Sequence, residues 1–137
     1  MFLIDTSVWI FALGPQPVSK LRDRVASLVL DNQAATTPPV IFEILRGART
    51  LQEAERLKQH LRSLHVLPFT ESDWSEAAEW SARLARKGLS AKSMDLLIAF
   101  KANQHNLTLL HADKDFDRIA KVSNLRVESW TTRVQGQ

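Results

Sequence analysis

Residues 1–11 read MFLIDTSVWIF, and the fold turns on how Asp5 is placed in them. Phe2-Leu3-Ile4 is an apolar run with no room for a helix before it, and it ends in a polar turn, so it reads as a short buried strand. Asp5-Thr6-Ser7 has the residue types of a helix start, and Val8–Leu13 supplies one or two apolar turns before Gly14-Pro15-Gln16-Pro17 breaks them. An ionisable carboxylate thus sits where the first hydrophobic run ends, the place where burial suits it least.

Working outward, apolar residues keep helical spacing from Val18 to Leu30, and Ala34-Ala35-Thr36 is a weak strand. Thr37 with Pro38 and Pro39 opens a helix over Val40–Ala48 that stops near Gly47. A charged peripheral helix is expected over Thr50–Leu64, a strand at His65–Leu67 and an amphipathic helix over Glu71–Arg86. Ser93–Asn103 is apolar on nearly every side around Leu96–Phe100, which predicts a central helix. Leu107–Leu110 is a strand leading into a carboxylate-rich polar turn at His111–Asp117, and Leu125–Val127 is a last strand. Strands separated by helices along the whole length predict an α/β domain with a parallel sheet, one domain over residues 1–137.

The totals exclude several chemistries. With no cysteine among 137 residues there is no disulfide, zinc–thiolate site, iron–sulfur cluster or thiol nucleophile. The 45% hydrophobic and 24% charged content is that of a globular protein. No signal peptide and no membrane-length apolar stretch is visible, so a cytoplasmic protein is expected. The net charge of +3 is too small to establish nucleic-acid binding.

The acids are more informative. Parallel sheets place their ligand sites outside the carboxyl ends of the strands. Asp5 follows the first strand, and Asp113 and Asp115 follow the penultimate one. Glu43 lies among Ile41, Phe42, Ile44 and Leu45, and Asp95 opens the most apolar helix, surroundings in which acids are seldom found. Each alone has a bland explanation: Asp5 as a cap, Asp95 on first-turn amides, Glu43 paired with Arg46 or with a basic residue elsewhere, Asp113 and Asp115 as turn residues. Together they do not. Two carboxylates about 5 Å apart repel by roughly 3 kcal/mol at an effective dielectric of 20, and four converging acids contain about six such pairs. That strain exceeds the roughly 5–15 kcal/mol that stabilises a whole domain. If the acids converge they need protons or cations, and magnesium or manganese suits carboxylate oxygens.

The start hhhDTS, where h is apolar, the isolated Glu43 in PPVIFEILRGA (residues 38–48), DLLIA (95–99) and LLHADKDF (109–116) together resemble the PIN-domain proteins, in order and spacing along nearly the whole chain. In size the chain resembles the VapC-type toxins of bacterial toxin–antitoxin pairs. The resemblance implies a three-layer α/β/α domain with a central parallel sheet of four or five strands, and a magnesium- or manganese-dependent endoribonuclease using one or two ions. It implies Asp5, Glu43, Asp95 and Asp113 as the catalytic, metal-holding quartet, with Asp115 as an added or alternative fourth ligand. Thr6 and Ser7 then orient the cluster or a metal-bound water. It implies a homodimer inhibited by a cognate VapB-like antitoxin whose tail occupies the active-site groove. His111 departs from the threonine or serine more often found there; it is either packed at a strand end or in touch with a phosphate.

RNA phosphates would need a basic rim around an acidic pocket. Arg46, Arg49, Lys87, Lys92, Lys114 and Arg118 are the candidates. His60, His65 and His105 suggest no ligand set, and Trp9, Trp74, Trp80 and Trp130 read as core or interface residues. Trp9, Phe11 and Phe42 are the apolar interface candidates. A catalytically idle PIN-like module that binds RNA or protein is the alternative reading. A phosphatase-like domain is disfavoured, because Asp5 is followed by Thr6-Ser7 rather than by a second acid two residues on.

Overall fold

A computed structural model describes residues 1–135. The first apolar run forms β1 (Phe2–Ile4), and Asp5 caps α1 (Thr6–Leu13) by accepting the Ser7 N–H. There follow α2 (Ser19–Leu30), β2 (Ala34–Thr36), α3 (Pro38–Arg46), α4 (Leu51–Arg62), β3 (His65–Val66) and α5 (Glu71–Arg86). The chain continues through α6 (Ser93–Gln104), β4 (Thr108–His111), α7 (Lys114–Lys121), β5 (Arg126–Ser129) and α8 (Thr131–Gln135). Local chemistry sets several boundaries. Pro38 occupies the first turn of α3, and Gly47 ends that helix. Thr70 and Asp73 form a reciprocal capping box at the start of α5.

The five strands make one parallel sheet in the order β3-β2-β1-β4-β5. From β1 the chain winds outward through β2 to β3, then returns to the other side of β1 for β4. The strand order therefore reverses between β1 and β4, and a crevice opens at their carboxyl ends. Alternate strand residues feed two separate cores. Leu3, Ala35 and Leu109 pack with Val40, Ile98, Phe100 and Phe116 on one face. Ile4, Ala34 and Leu110 pack with Val8, Leu21, Val25 and Trp130 on the other. The result is the three-layer α/β/α arrangement expected from the sequence, with five strands.

Two helices were not expected. The segment containing Asp113–Asp117, read as a polar turn, continues as α7, because Phe116 and Ile119 lie one turn apart and are fully buried. The short α8 follows β5 and packs Val134 against the second core. The central helix α6 is buried as expected, but it carries a charge inside: Lys101, 1% exposed, bonds Asp73 at 2.8 Å and Gln104 at 2.6 Å, with its ammonium over the Phe69 ring. Gln104 in turn donates to the other Asp73 oxygen at 2.7 Å, so the buried charges are paired and hydrogen-bonded.

Candidate active site

Asp5 leaves β1 and Asp113 follows β4, so these two acids flank the crevice where the strand order reverses. The Asp5 N–H donates to the Leu110 carbonyl at 3.0 Å, which ties the two strand ends together. The crossover helices bring in the other acids: Glu43 from α3 and Asp95 from the first turn of α6. Asp113 caps α7 by accepting the Asp115 N–H at 3.0 Å, and this places Asp115 in the first turn of that helix.

Asp95 is the centre of the arrangement. It is buried, and its Oδ2 has no hydrogen-bond partner among the described residues. Asp95, Asp113 and Asp115 each offer an oxygen within 4.8 Å of the others. Burial, then the charges of Asp5, Asp113, Asp115 and Glu43, push the Asp95 carboxyl up from 3.8 to about 7. Burial pushes Asp5 up to about 6, against the lowering effect of its hydrogen bonds from Ser7; Glu43 adds a small repulsion. The four other acids singled out in the sequence thus all act electrostatically on Asp95.

Hydroxyls from the turn after β1 steer two of these acids. Thr6 Oγ1 donates to Glu43 Oε1 at 2.7 Å. Ser7 Oγ donates to Asp5 Oδ2 at 2.6 Å and accepts the Ala112 N–H at 3.0 Å, so it bridges the two strand ends. Both hydroxyls are thus engaged in hydrogen bonds to acids of the cluster. The bland explanations hold in part: Asp5 and Asp113 do cap helices. They fail for Glu43, which bonds Thr6 and forms no ion pair with Arg46, and for the unpartnered oxygen of Asp95.

A cluster of hard oxygen donors with excess negative charge and an orphaned buried oxygen fits a divalent cation with oxygen ligands. The same donors suit neither a thiolate-loving nor an imidazole-bound metal. His60, His65 and His105 take no part; His65 Nε2 bonds the Asn32 carbonyl instead.

Among the basic candidates, Arg46, Arg49, Lys92 and Lys114 are exposed. Lys92 caps α6 one turn before Asp95, and Lys114 lies between Asp113 and Asp115. Arg118 donates to Asp115 Oδ1 at 2.6 Å. Lys87 is not on this rim: it donates to the Val122 carbonyl at the carboxyl end of α7, a helix length from Asp113. His111 is fully buried against Phe116 at the end of β4, so packing at the strand end holds and the phosphate contact does not. Burial pushes its imidazole below the usual value, against the raising effect of Asp117 and Asp113. Trp80 and Trp130 are core residues, and Trp74 is half exposed against Phe69. Phe11 is partly buried, whereas Phe42 stays exposed together with Ile10 and Leu13, two positions on α1 that an apolar turn alone did not mark as outward-facing.

Comparison with known proteins agrees with this geometry. The PIN domain family model matches residues 2–122. The chain is 34% identical to ribonuclease VapC11 of Mycobacterium tuberculosis over 140 aligned positions, covering 95% of this chain and 99% of that protein. Its fold superposes on the VapBC2 complex of Rickettsia felis bound to a promoter DNA fragment, with a TM-score of 0.77 at 23% identity, over 94% of this chain and 98% of that one. It also superposes on FitAcB of Neisseria gonorrhoeae, with a TM-score of 0.74 at 25% identity, over 93% and 96% of the two chains. With the family model spanning four of the five strands and all five acids, this chain belongs to the PIN domain family.

Proposed function

We propose that this chain is a magnesium- or manganese-dependent endoribonuclease toxin, held inactive by a VapB-like antitoxin. The observation that carries the reading is Asp95, a buried acid with an unpartnered oxygen, grouped within 4.8 Å with Asp113 and Asp115 and pushed up by the charges of Asp5 and Glu43 as well. The relatives named as VapC ribonucleases, and the toxin–antitoxin complexes that share the fold, support the activity and the partner.

In this reading Asp5, Glu43, Asp95 and Asp113 are the catalytic acids and hold the metal, with Asp115 as a further ligand. A divalent ion bound by these acids would acidify a water for attack on a phosphodiester, and a second ion, where bound, would stabilise the leaving oxygen. The chain's own contribution is to hold the carboxylates in place. Thr6 fixes Glu43, Ser7 fixes Asp5 against the backbone of Ala112, and the capped start of α7 fixes Asp113. In the same reading the exposed Arg46, Arg49, Lys92 and Lys114 meet RNA phosphates, and Arg118 joins them once it leaves Asp115. Exposed Ile10, Leu13 and Phe42, on helices α1 and α3 that pack on each other, supply apolar surface for a homodimer. No helix among the described residues is long and apolar enough to cross a membrane, in keeping with a toxin that meets RNA in the cytoplasm.

The test is cleavage of RNA by the purified protein in magnesium or manganese, with a chelator as control. Wild type should cut, and Asp95→Asn should lose activity by at least about 100-fold while keeping its circular dichroism spectrum. A folded wild type that never cuts any RNA in either metal leaves the idle binding module as the better description.

A further inference from the structure

His111 is fully buried two residues before Asp113, and the catalytic reading gives it nothing to do. Its ring nevertheless holds the backbone from which Asp113 projects. Nδ1 lies 3.2 Å from the Asp113 N–H and accepts it. The neutral ring therefore carries its proton on Nε2. Nε2 faces Asp117 Oδ1 at 3.2 Å, close but poorly aligned for a full hydrogen bond. Asp117 is itself anchored, since its Oδ2 accepts from Ser129 Oγ and Thr131 Oγ1, both at 3.2 Å. The His111 carbonyl accepts the Trp130 N–H at 2.8 Å, and Phe116 packs on the imidazole with ring centroids 5.3 Å apart. The ring is thus held directly by Phe116 and Asp117 of α7, and through Asp117 by β5 and α8.

This is a turn in which a side-chain acceptor takes the N–H two residues on, the job that Asn, Asp, Ser or Thr does in ordinary turns. Here the acceptor belongs to a bulky ring whose far side reaches Asp117.

We propose that His111 is a positioning residue for the acidic cluster: its Nδ1 fixes the backbone of Asp113, and Asp117 keeps the ring in the Nε2–H tautomer that leaves Nδ1 free to accept. The proposal rests on the cation-binding reading of the cluster, because metal affinity is what it would tune. Groups that orient metal ligands typically change affinity by about 10–100-fold when removed.

Two isosteric replacements separate positioning from packing. In His111→Asn the amide oxygen sits where Nδ1 was, so the bond to Asp113 survives although the side chain is smaller. In His111→Gln more volume is kept, but the amide reaches toward the Nε2 position and Nδ1 has no substitute. Mn2+ binding to the metal-free full chain is measured by calorimetry for wild type, both variants and Asp95→Asn, with thermal melts alongside. Asn should bind within about 3-fold of wild type, and Gln should bind about 10-fold or more weakly. Gln binding as well as or better than Asn makes the role one of packing and overturns the proposal. If wild type binds Mn2+ no better than Asp95→Asn, the cation reading fails instead. The ring tautomer, read from long-range proton–nitrogen NMR correlations in the metal-free wild type, decides the His111 geometry independently. A proton on Nε2 supports it and a proton on Nδ1 overturns it, also where a variant does not fold.

Discussion

Thr6 Oγ1 donates to Glu43 Oε1 across 2.7 Å, linking the first turn of α1 to an acid 37 positions later in α3. The bond gives a partly buried carboxylate a fixed rotamer at the edge of the cluster. Thr6→Val keeps the shape and removes the donor. It should lower RNA cleavage by about 10-fold, as loss of a ligand-orienting group does. Steady-state kinetics with a melting curve on the same preparation check this; unchanged cleavage would mean that Glu43 needs no such support.

The raised carboxyls of Asp5 and Asp95 fix the sign of a pH effect. Both groups have higher values in the folded chain, about 6 and about 7, than the ordinary 3.8. Their stabilising contribution to the metal-free fold is therefore complete below about pH 4 and is lost as pH rises through 6 to 7. Asp95→Asn removes that loss, so the variant should be more stable than wild type at pH 8 by roughly 1–3 kcal/mol after solvent screening. The gap should close toward pH 4. Denaturant melts of both proteins in chelator, from pH 4 to 8, measure it. A variant less stable than wild type at pH 8 would show that the repulsion is not there.

Those features were unequally legible in the sequence. The strand Phe2–Ile4 and the carboxylate ending it stood out because an apolar run met a polar turn. The same contrast marked Asp95 and Glu43, acids among Leu and Ile. The helix α7 did not stand out: KDFDRIAK has only two large apolar residues in eight, and its charges read as a turn until Phe116 and Ile119 are seen to be buried. The Thr6–Glu43 and Ser7–Ala112 bonds join segments 37 and 105 positions apart, and no local pattern encodes such pairings. Lys101 was hidden for the opposite reason, since a lysine in an apolar helix looks like its one solvent-facing position.

Ser7 serves two strand ends at once. Ser7→Ala leaves the Ala112 N–H without its acceptor and takes one donor from Asp5. It should cost about 1–3 kcal/mol of stability. Without that donor the Asp5 carboxyl should rise further, so Mn2+ binding should shift to higher pH than in wild type. Calorimetric titrations at pH 6 and pH 8 read the shift; equal ratios of affinity in the two proteins would deny Ser7 this role.

The buried Lys101–Asp73 pair supplies a contrast, because its chemistry points the other way. Asp73 is held well below the usual carboxylate range, first by its hydrogen bond from Lys101, then by the Thr70 N–H and by Gln104. Lys101→Met strands a carboxylate and should lower the melting temperature by several degrees at neutral pH, with that deficit shrinking once acid protonates Asp73. Mn2+ affinity per folded molecule should not change. A variant with full thermal stability and weakened metal binding would tie this pair to the site instead.

The most direct check on the converging carboxylates is a crystal structure of the full chain grown with manganese, its ions located by anomalous scattering. A peak about 2 Å from an Asp95 oxygen, shared with Asp5 or Asp113, is the expected result. A map with no ion at the cluster, and with the free Asp95 oxygen turned to a protein donor, would contradict it.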